Sequence, residues 1–364
     1  MKDHKLLNDL WREVEAGRVT ARTCGDLTTF KYTQDTHIKG LWNEANRQAR
    51  GIIFRADGLV VARPFPKFFN LGENEESRIS ALPWKEGVEV YEKMDGSCGI
   101  GYRLNDRWAL ATPGSLESDQ AVRGTTMLRA HMNRFLGDPS FWIPHDCTPI
   151  FEIIYPENRI VVDYQGSEFL SLLAIFEHNG EEWHPRRVDQ LAQRCDFRRP
   201  KRFEIDLKGE IPFEDNSEGY VARFGNGVRV KVKSPTYLRI HRLLNYLSPK
   251  GVIDLVRGRE YGSTLRQLPP AIAKDFDDIR AAVQQQFDGI LTSASASFRD
   301  LNVAVNPSEG RKAQALWIQA NVPNAQTGLV YGLLDGKDLT EHIWKLVLEK
   351  VKDEAGPRIA LSGD

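Results

Sequence analysis

The segment YEKMDGSCG, residues 91–99, ends an alternating strand on a lysine and then turns through Asp95 and Gly96. Val88 and Val90 point to one side of such a strand; Glu89, Tyr91 and Lys93 point to the other. A lone lysine in that place is ordinarily a solvated cation. Set among other cations, it is a nucleophile. Lysine attacks phosphorus only as the neutral amine, which a reference pKa of about 10.4 makes scarce at neutral pH. Nearby positive charge and partial burial both favour the neutral form. Bringing the pKa to about 8 removes about 3 kcal/mol of that cost. The same cations would hold phosphate oxygens and stabilise charge during transfer.

Further stretches supply such groups. In EGYVARFGNGVRVKVKS, residues 218–234, two strands flank an Asn-Gly turn signal. A two-residue turn places Glu218, Tyr220 and Ala222 on one face with Lys231 and Lys233, and Val221, Val230 and Val232 on the other. A three-residue loop would scatter these charges over both faces. Arg50 lies in ARGIIF, Lys67 in ARPFPKFFNLGEN beside Phe68 and Phe69, and Glu152 on the apolar strand IFEIIY. Each has a plain reading alone, as a surface cation, a lysine over aromatics or a strand-end carboxylate. Together they describe a polyphosphate site with a carboxylate able to order a metal's water shell.

Residues 26–237 read mainly as short alternating strands, RIVVDY at 159–164 among them, with one helix expected to fill part of 117–136 and another over 187–194. The pattern changes afterwards. Phe276, Ile279, Val283, Phe287 and Ile290 recur at helical spacing over 273–291, and further helices are expected over 310–320 and 339–352. The chain therefore reads as an α+β domain over residues 1–246 and a smaller all-α domain over 247–364.

Of the 364 residues, 41% are apolar and 27% charged, with a net charge of −1, the balance of a soluble globular protein. Residues 1–245 hold 35 basic and 35 acidic side chains, and 246–364 hold 14 and 15. No half is basic enough to hold nucleic acid nonspecifically, so any polyanion must meet charge gathered in a site. The four scattered cysteines read as reduced thiols. His178 and His184 read as ordinary surface residues, and Gly96, Gly99 and Gly101 as strand glycines. There is no membrane-length apolar run, and the N-terminus reads as a charged amphipathic helix rather than a signal peptide. The expected location is the cytoplasm.

ARG at 49–51, RPFPKFFNLGEN at 63–74, KMDGS at 93–97, FEIIYPENRIVV at 151–162, EGYVA at 218–222 and KVKSPTY at 231–237 resemble, in order and spacing, the T-even bacteriophage RNA ligase 1 family of covalent nucleotidyltransferases. The resemblance covers roughly residues 25–245 and implies a nucleotidyltransferase fold with an ATP-grasp-like antiparallel sheet. It further implies ATP and Mg2+ or Mn2+ as cofactors, and as substrate RNA bearing 5′-phosphate and 3′-hydroxyl ends, such as a cleaved tRNA. No protein partner is called for. By position, Lys93 is the nucleophile, and Asp95 and Gly96 shape its loop. Arg50 and Lys67 would hold phosphates, and Tyr32 and Phe69 would contact the nucleotide. Glu152 would meet the ribose or a metal-bound water, and Glu218 the metal's water shell. Lys231 and Lys233 would grip the α-phosphate, and Tyr237 would serve end joining.

One departure stands out. Relatives often carry a lysine or arginine just before Gly-Ser on the strand after the nucleophile, whereas this chain reads Ala111-Thr112-Pro113-Gly114-Ser115. Arg107 or Arg123 is expected to compensate. DNA ligases and capping guanylyltransferases share such a domain but continue into a β-rich OB-fold, against the helices expected here. A noncatalytic RNA-end sensor would keep the pocket and not need Lys93.

Overall fold

The computed structural model describes residues 1–104, 107–135 and 143–353. Strands β1 (Val19–Cys24), β2 (Leu27–Tyr32), β3 (Arg50–Arg55) and β4 (Val60–Ala62) form one antiparallel sheet in that order. The chain then lays down β5 (Phe69–Asn70) and β6 (Val88–Glu92) before β7 (Ser97–Leu104), β8 (Arg107–Ala111), β9 (Cys147–Ile154) and β10 (Phe169–Glu177). It closes the strand region with β11 (Arg202–Phe203), β12 (Gly219–Phe224) and β13 (Arg229–Lys233). A second sheet has the order β10-β9-β7-β8, and a third β11-β6-β12-β13-β5. Only the β13–β5 contact is parallel among these pairs.

Alternation sets the layers. Leu27, Ile53 and Ala62 of the first sheet meet Ile100, Tyr102, Ala109 and Ala111 of the second. The other face of the second sheet buries Leu110, Phe151, Ile153 and Leu172 under Leu128 of the helix Asp119–Asn133 and Val188 and Leu191 of the helix Pro185–Arg194. The third sheet buries Val90, Tyr220, Ala222, Phe224, Val230 and Val232 on one side. Replacing the fully buried Phe224 by Ala would cost about 3–5 kcal/mol. Its opposite side is free to carry charge.

The chain divides into two compact units, Met1–Leu238 and a second beginning at Arg239. After Lys233 the described residues form helices without strands, the longest being Pro270–Ala304. That single helix replaces the shorter one expected over 273–291, because no glycine or proline stops the pattern before Ala304 except the tolerated Gly289. Phe276 is fully buried, Trp317 packs on the cluster around Leu301 and Ile318, and the Phe287 ring lies 4.5 Å from that of Trp344. These aromatics are core. No helix among the described residues is long and apolar enough to cross a membrane.

Two expectations need correction. RIVVDY forms no strand: the amides of Val161 and Val162 donate to Asp95 instead of to a ladder. His178 is not a surface residue but 7% exposed, and burial above all pushes its pKa down to about 4. The helix expected within 117–136 is there, as Asp119–Asn133.

Candidate active site

The third sheet builds the site from aligned rows. Gly219 stands opposite Lys233 and accepts from the Lys93 amide at 2.9 Å; Val221 is flanked by Tyr91 and Lys231; Arg223 is flanked by Glu89 and Arg229. Lys93, Lys231 and Lys233 therefore share the face opposite the Phe224 core.

This is not the register a two-residue turn gives. Phe224 bonds to Val228 across a three-residue loop, Gly225-Asn226-Gly227, with Gly227 at φ +86. The slip sends Tyr220 and Ala222 into the core and pairs the lysines with Gly219 and Val221. The expected scattering does not follow, because Gly219 corrects it. By alternation Glu218 would follow Tyr220 inward, but Gly219 has φ +126, and a Cβ there would lie 2.1 Å from the Val232 carbonyl oxygen. Only glycine permits that turn, which returns Glu218 to the lysines.

Glu218 is 2% exposed. Its Oε2 lies 2.8 Å from Lys93 Nζ and its Oε1 3.0 Å from Lys233 Nζ. Behind Lys93 the loop is clamped. Asp95 Oδ2 accepts from the amides of Val161 and Val162, both at 2.8 Å, and Oδ1 accepts from the Tyr237 hydroxyl at 2.9 Å. The Asp95 amide donates to the Tyr164 hydroxyl oxygen at 2.8 Å, and the Gly96 amide to Glu152 Oε1 at 3.0 Å. Burial pushes the Tyr164 pKa up, so the phenol stays neutral. The Lys233 ammonium lies 5.4 Å over the Tyr237 ring, which joins the clamp to the lysines.

Two residues from Lys233 along β13, Lys231 Nζ sits 5.1 Å over Phe68, and Arg50 Cζ lies 5.1 Å from the same ring. Phe68 is thus the aromatic between Lys231 and Arg50, while Phe69 lies between Lys67 and Arg47. Phe69 is 4% exposed and walls a box with Tyr32 and Trp42, whose rings stand 5.1, 5.5 and 5.3 Å from the buried Lys67 ammonium. Such a box holds a cation by its ring faces.

The geometry thus gathers Lys93, Glu218, Lys233 and Lys231, sets Asp95, Gly96, Glu152 and Tyr237 around the loop that follows Lys93, and groups Lys67, Tyr32 and Phe69 beside β13. Sequence reasoning missed Phe68, Trp42 and Tyr164. The FF doublet at 68–69 announced an aromatic pair without saying which ring faces the cations. The two expected substitutes for the absent basic residue have other surroundings. Arg107 opens β8 opposite Leu104, and Arg123 pairs with Glu168 at 2.6 Å. Among the described residues no three metal-ligating side chains cluster. Glu218 and Glu152 fit an ion bound chiefly by phosphate oxygens and water, the habit of Mg2+.

Residues 48–237, just over half the chain, match the T4 RNA ligase 1 family model, described as RNA ligase. An RNA ligase of Rhodothermus phage RM378 is 22% identical over 82% of this chain and 83% of its own. A protein of Thermovibrio ammonificans is 33% identical over 59% of this chain, and the match spans 56% of that relative's length. An archaeal ATP-dependent RNA ligase structure aligns with 76% of this chain and 79% of its own at 14% identity, with a TM-score of 0.47.

Proposed function

The chain belongs to the RNA ligase family of the T4 RNA ligase 1 type, and on that premise we propose that it is an ATP-dependent RNA ligase joining 5′-phosphate to 3′-hydroxyl ends. The observation that carries this reading is Lys93 Nζ within 2.8 Å of the buried Glu218, with Lys233 on the carboxylate's other oxygen.

Lys93 attacks the α-phosphorus of ATP; the N–P bond forms as the bond to pyrophosphate breaks. Glu218 is in hydrogen-bond reach of the amine and can receive its proton. Lys231 and Lys233 hold the α-phosphate, Arg50 the outer phosphates, and Glu152 the ribose or a metal-bound water. A divalent ion, reached by Glu218 through water, would neutralise phosphate charge. The RNA 5′-phosphate then takes AMP from Lys93, and the 3′-hydroxyl attacks that activated end and releases AMP. Splitting the condensation through a covalent intermediate replaces one difficult step by easier ones. Asp95 and Tyr237 position the loop.

The helices after Lys233 favour this reading over a DNA ligase or capping enzyme with an OB-fold. We assign residues 247–364 to recognition of a structured RNA such as cleaved tRNA, and dependence on ATP supports a cytoplasmic setting. Incubation with magnesium and labelled ATP or GTP, followed by denaturation, tests the proposal. Label from ATP, lost in Lys93→Ala, is expected. Label from GTP alone points to capping, and no label points to a sensor. Rejoining of cleaved tRNA no faster than of unstructured oligomers would remove the role given to the helical region.

A further inference from the structure

On the first sheet, the β1–β2 register puts Arg22 and Lys31 on one face, and the β2–β3 pairing sets Arg50 opposite Lys31. That second pairing skips Gly51, a bulge with φ +95 where a Cβ would lie 2.7 Å from Pro113 Cα. Glycine lets the bulge close onto the Thr112–Ser115 turn. There, a Cβ on Gly114 would stand 3.2 Å from Lys31 Cδ and 3.7 Å from its Nζ. The Lys31 stem thus runs along the turn where a basic residue is absent.

Among the described residues, none of Arg22, Lys31 and Arg50 has a carboxylate partner. The acidic side chain placed near this face, Glu117, accepts from Cys24 Sγ at 3.2 Å. Burial, then Arg22 and Arg50, push the Lys31 pKa down, a sign that the three cations feel one another. Like charges gathered without a counter-ion repel, and an anion relieves that repulsion. The positive track continues from Arg50 over Phe68 to Lys231, and on to Lys233.

We propose that Lys31 and Arg22 form a phosphate-binding subsite for the 5′-phosphorylated RNA strand, linked through Arg50 to the lysine cluster and supplying the charge that Pro113 lacks. The inference rests on the ligase reading above. Strand rise and spacing put the Cα atoms of Arg22 and Lys31 about 8 Å apart. That separation suits successive backbone phosphates better than neighbouring phosphates of one triphosphate.

The test uses the full chain with Arg22→Ala/Lys31→Met, and Lys31→Arg as the charge-keeping control, with folding checked by Tm. Binding of 5′-phosphorylated single-stranded RNA is measured against salt with the unadenylylated enzyme, and AMP transfer to RNA in single turnover. The expected result is at least tenfold weaker binding at low salt and a log–log salt slope shallower by about 1.4, as two lost phosphate contacts predict. Transfer slows in parallel, self-adenylylation falls far less, and Lys31→Arg restores binding. Unchanged RNA affinity and slope would overturn the proposal. So would a loss of self-adenylylation as large as the loss of RNA binding, which would give the subsite to the triphosphate. Failure of the wild type to form lysyl-AMP would sink the ligase reading instead, leaving the binding measurement to decide the subsite by itself.

Discussion

Two carboxylates meet one face of the third sheet, the buried Glu218 and the largely buried Glu182, each paired with two cations, and the proposed function gives them different work. At one end Glu218 bridges Lys93 and Lys233. At the other, Glu182 reaches across from beyond β10 to Arg223, at 3.2 Å, and to Arg229. Charge and burial are alike: side-chain exposures are 12%, 17% and 3% at the lysine end and 11%, 9% and 12% at the arginine end. The chemistry differs because guanidinium groups stay protonated while a crowded amine can lose its proton. On the proposed reading, similar ion pairs serve as a reactive centre where lysine stands and as a structural rivet where arginine stands.

Breaking each end separately sharpens this contrast. The largest effect is expected from Lys93→Arg, which keeps the charge and the reach to Glu218 but should reduce ATP label on the protein below detection, read on a denaturing gel. At the other end, Glu182→Ala strands two largely buried guanidiniums and should cost about 3 kcal/mol in urea unfolding. The fraction that remains folded should still take label.

Asp95→Asn comes next, since an amide cannot accept all the bonds that the carboxylate takes from Val161, Val162 and Tyr237. A loss of about 1–3 kcal/mol is expected, with slower self-adenylylation as the loop loosens. Tyr237→Phe should cost about 1 kcal/mol.

The chemistry-bearing stretches were legible in the sequence because each is a short local pattern: KMDGS after alternating valines, EGYVA and KVKS as paired strands. Their joint geometry was not. Whether the hairpin loop holds two or three residues turns on Gly227, and the return of Glu218 to the lysine face depends on the positive φ of Gly219. Sequence alternation carries neither signal. Phe68 and Phe69 read alike until β5 pairs with β13 and sends Phe69 inward. Glu182 was invisible as a partner, because its arginines lie more than forty residues along the chain. The helical unit was plainer, since 3.6-residue periodicity persists through most of its length.

The most gradual expected effect is the acid response of the arginine end. His178 lies in the segment leading to Glu182, and Arg63 donates to its carbonyl at 3.1 Å. Its folded pKa of about 4 lies below the ordinary 6.5, so the unfolded chain takes up the proton first as pH falls. Its contribution is intact above about pH 6.5 and drains toward pH 4, about 1 kcal/mol between about pH 6 and pH 5. Thermal melts should show that slope in the wild type and a flatter one in His178→Gln.

The most direct test of the contrast is to digest the protein after ATP and magnesium treatment and map the modified residue by mass spectrometry. Adenylate on the amine of Lys93, with Lys231 and Lys233 unmodified, is the predicted result. Adenylate on another residue, or equal labelling of all three lysines, would contradict the claim that Glu218 and its neighbours single out one amine for reaction.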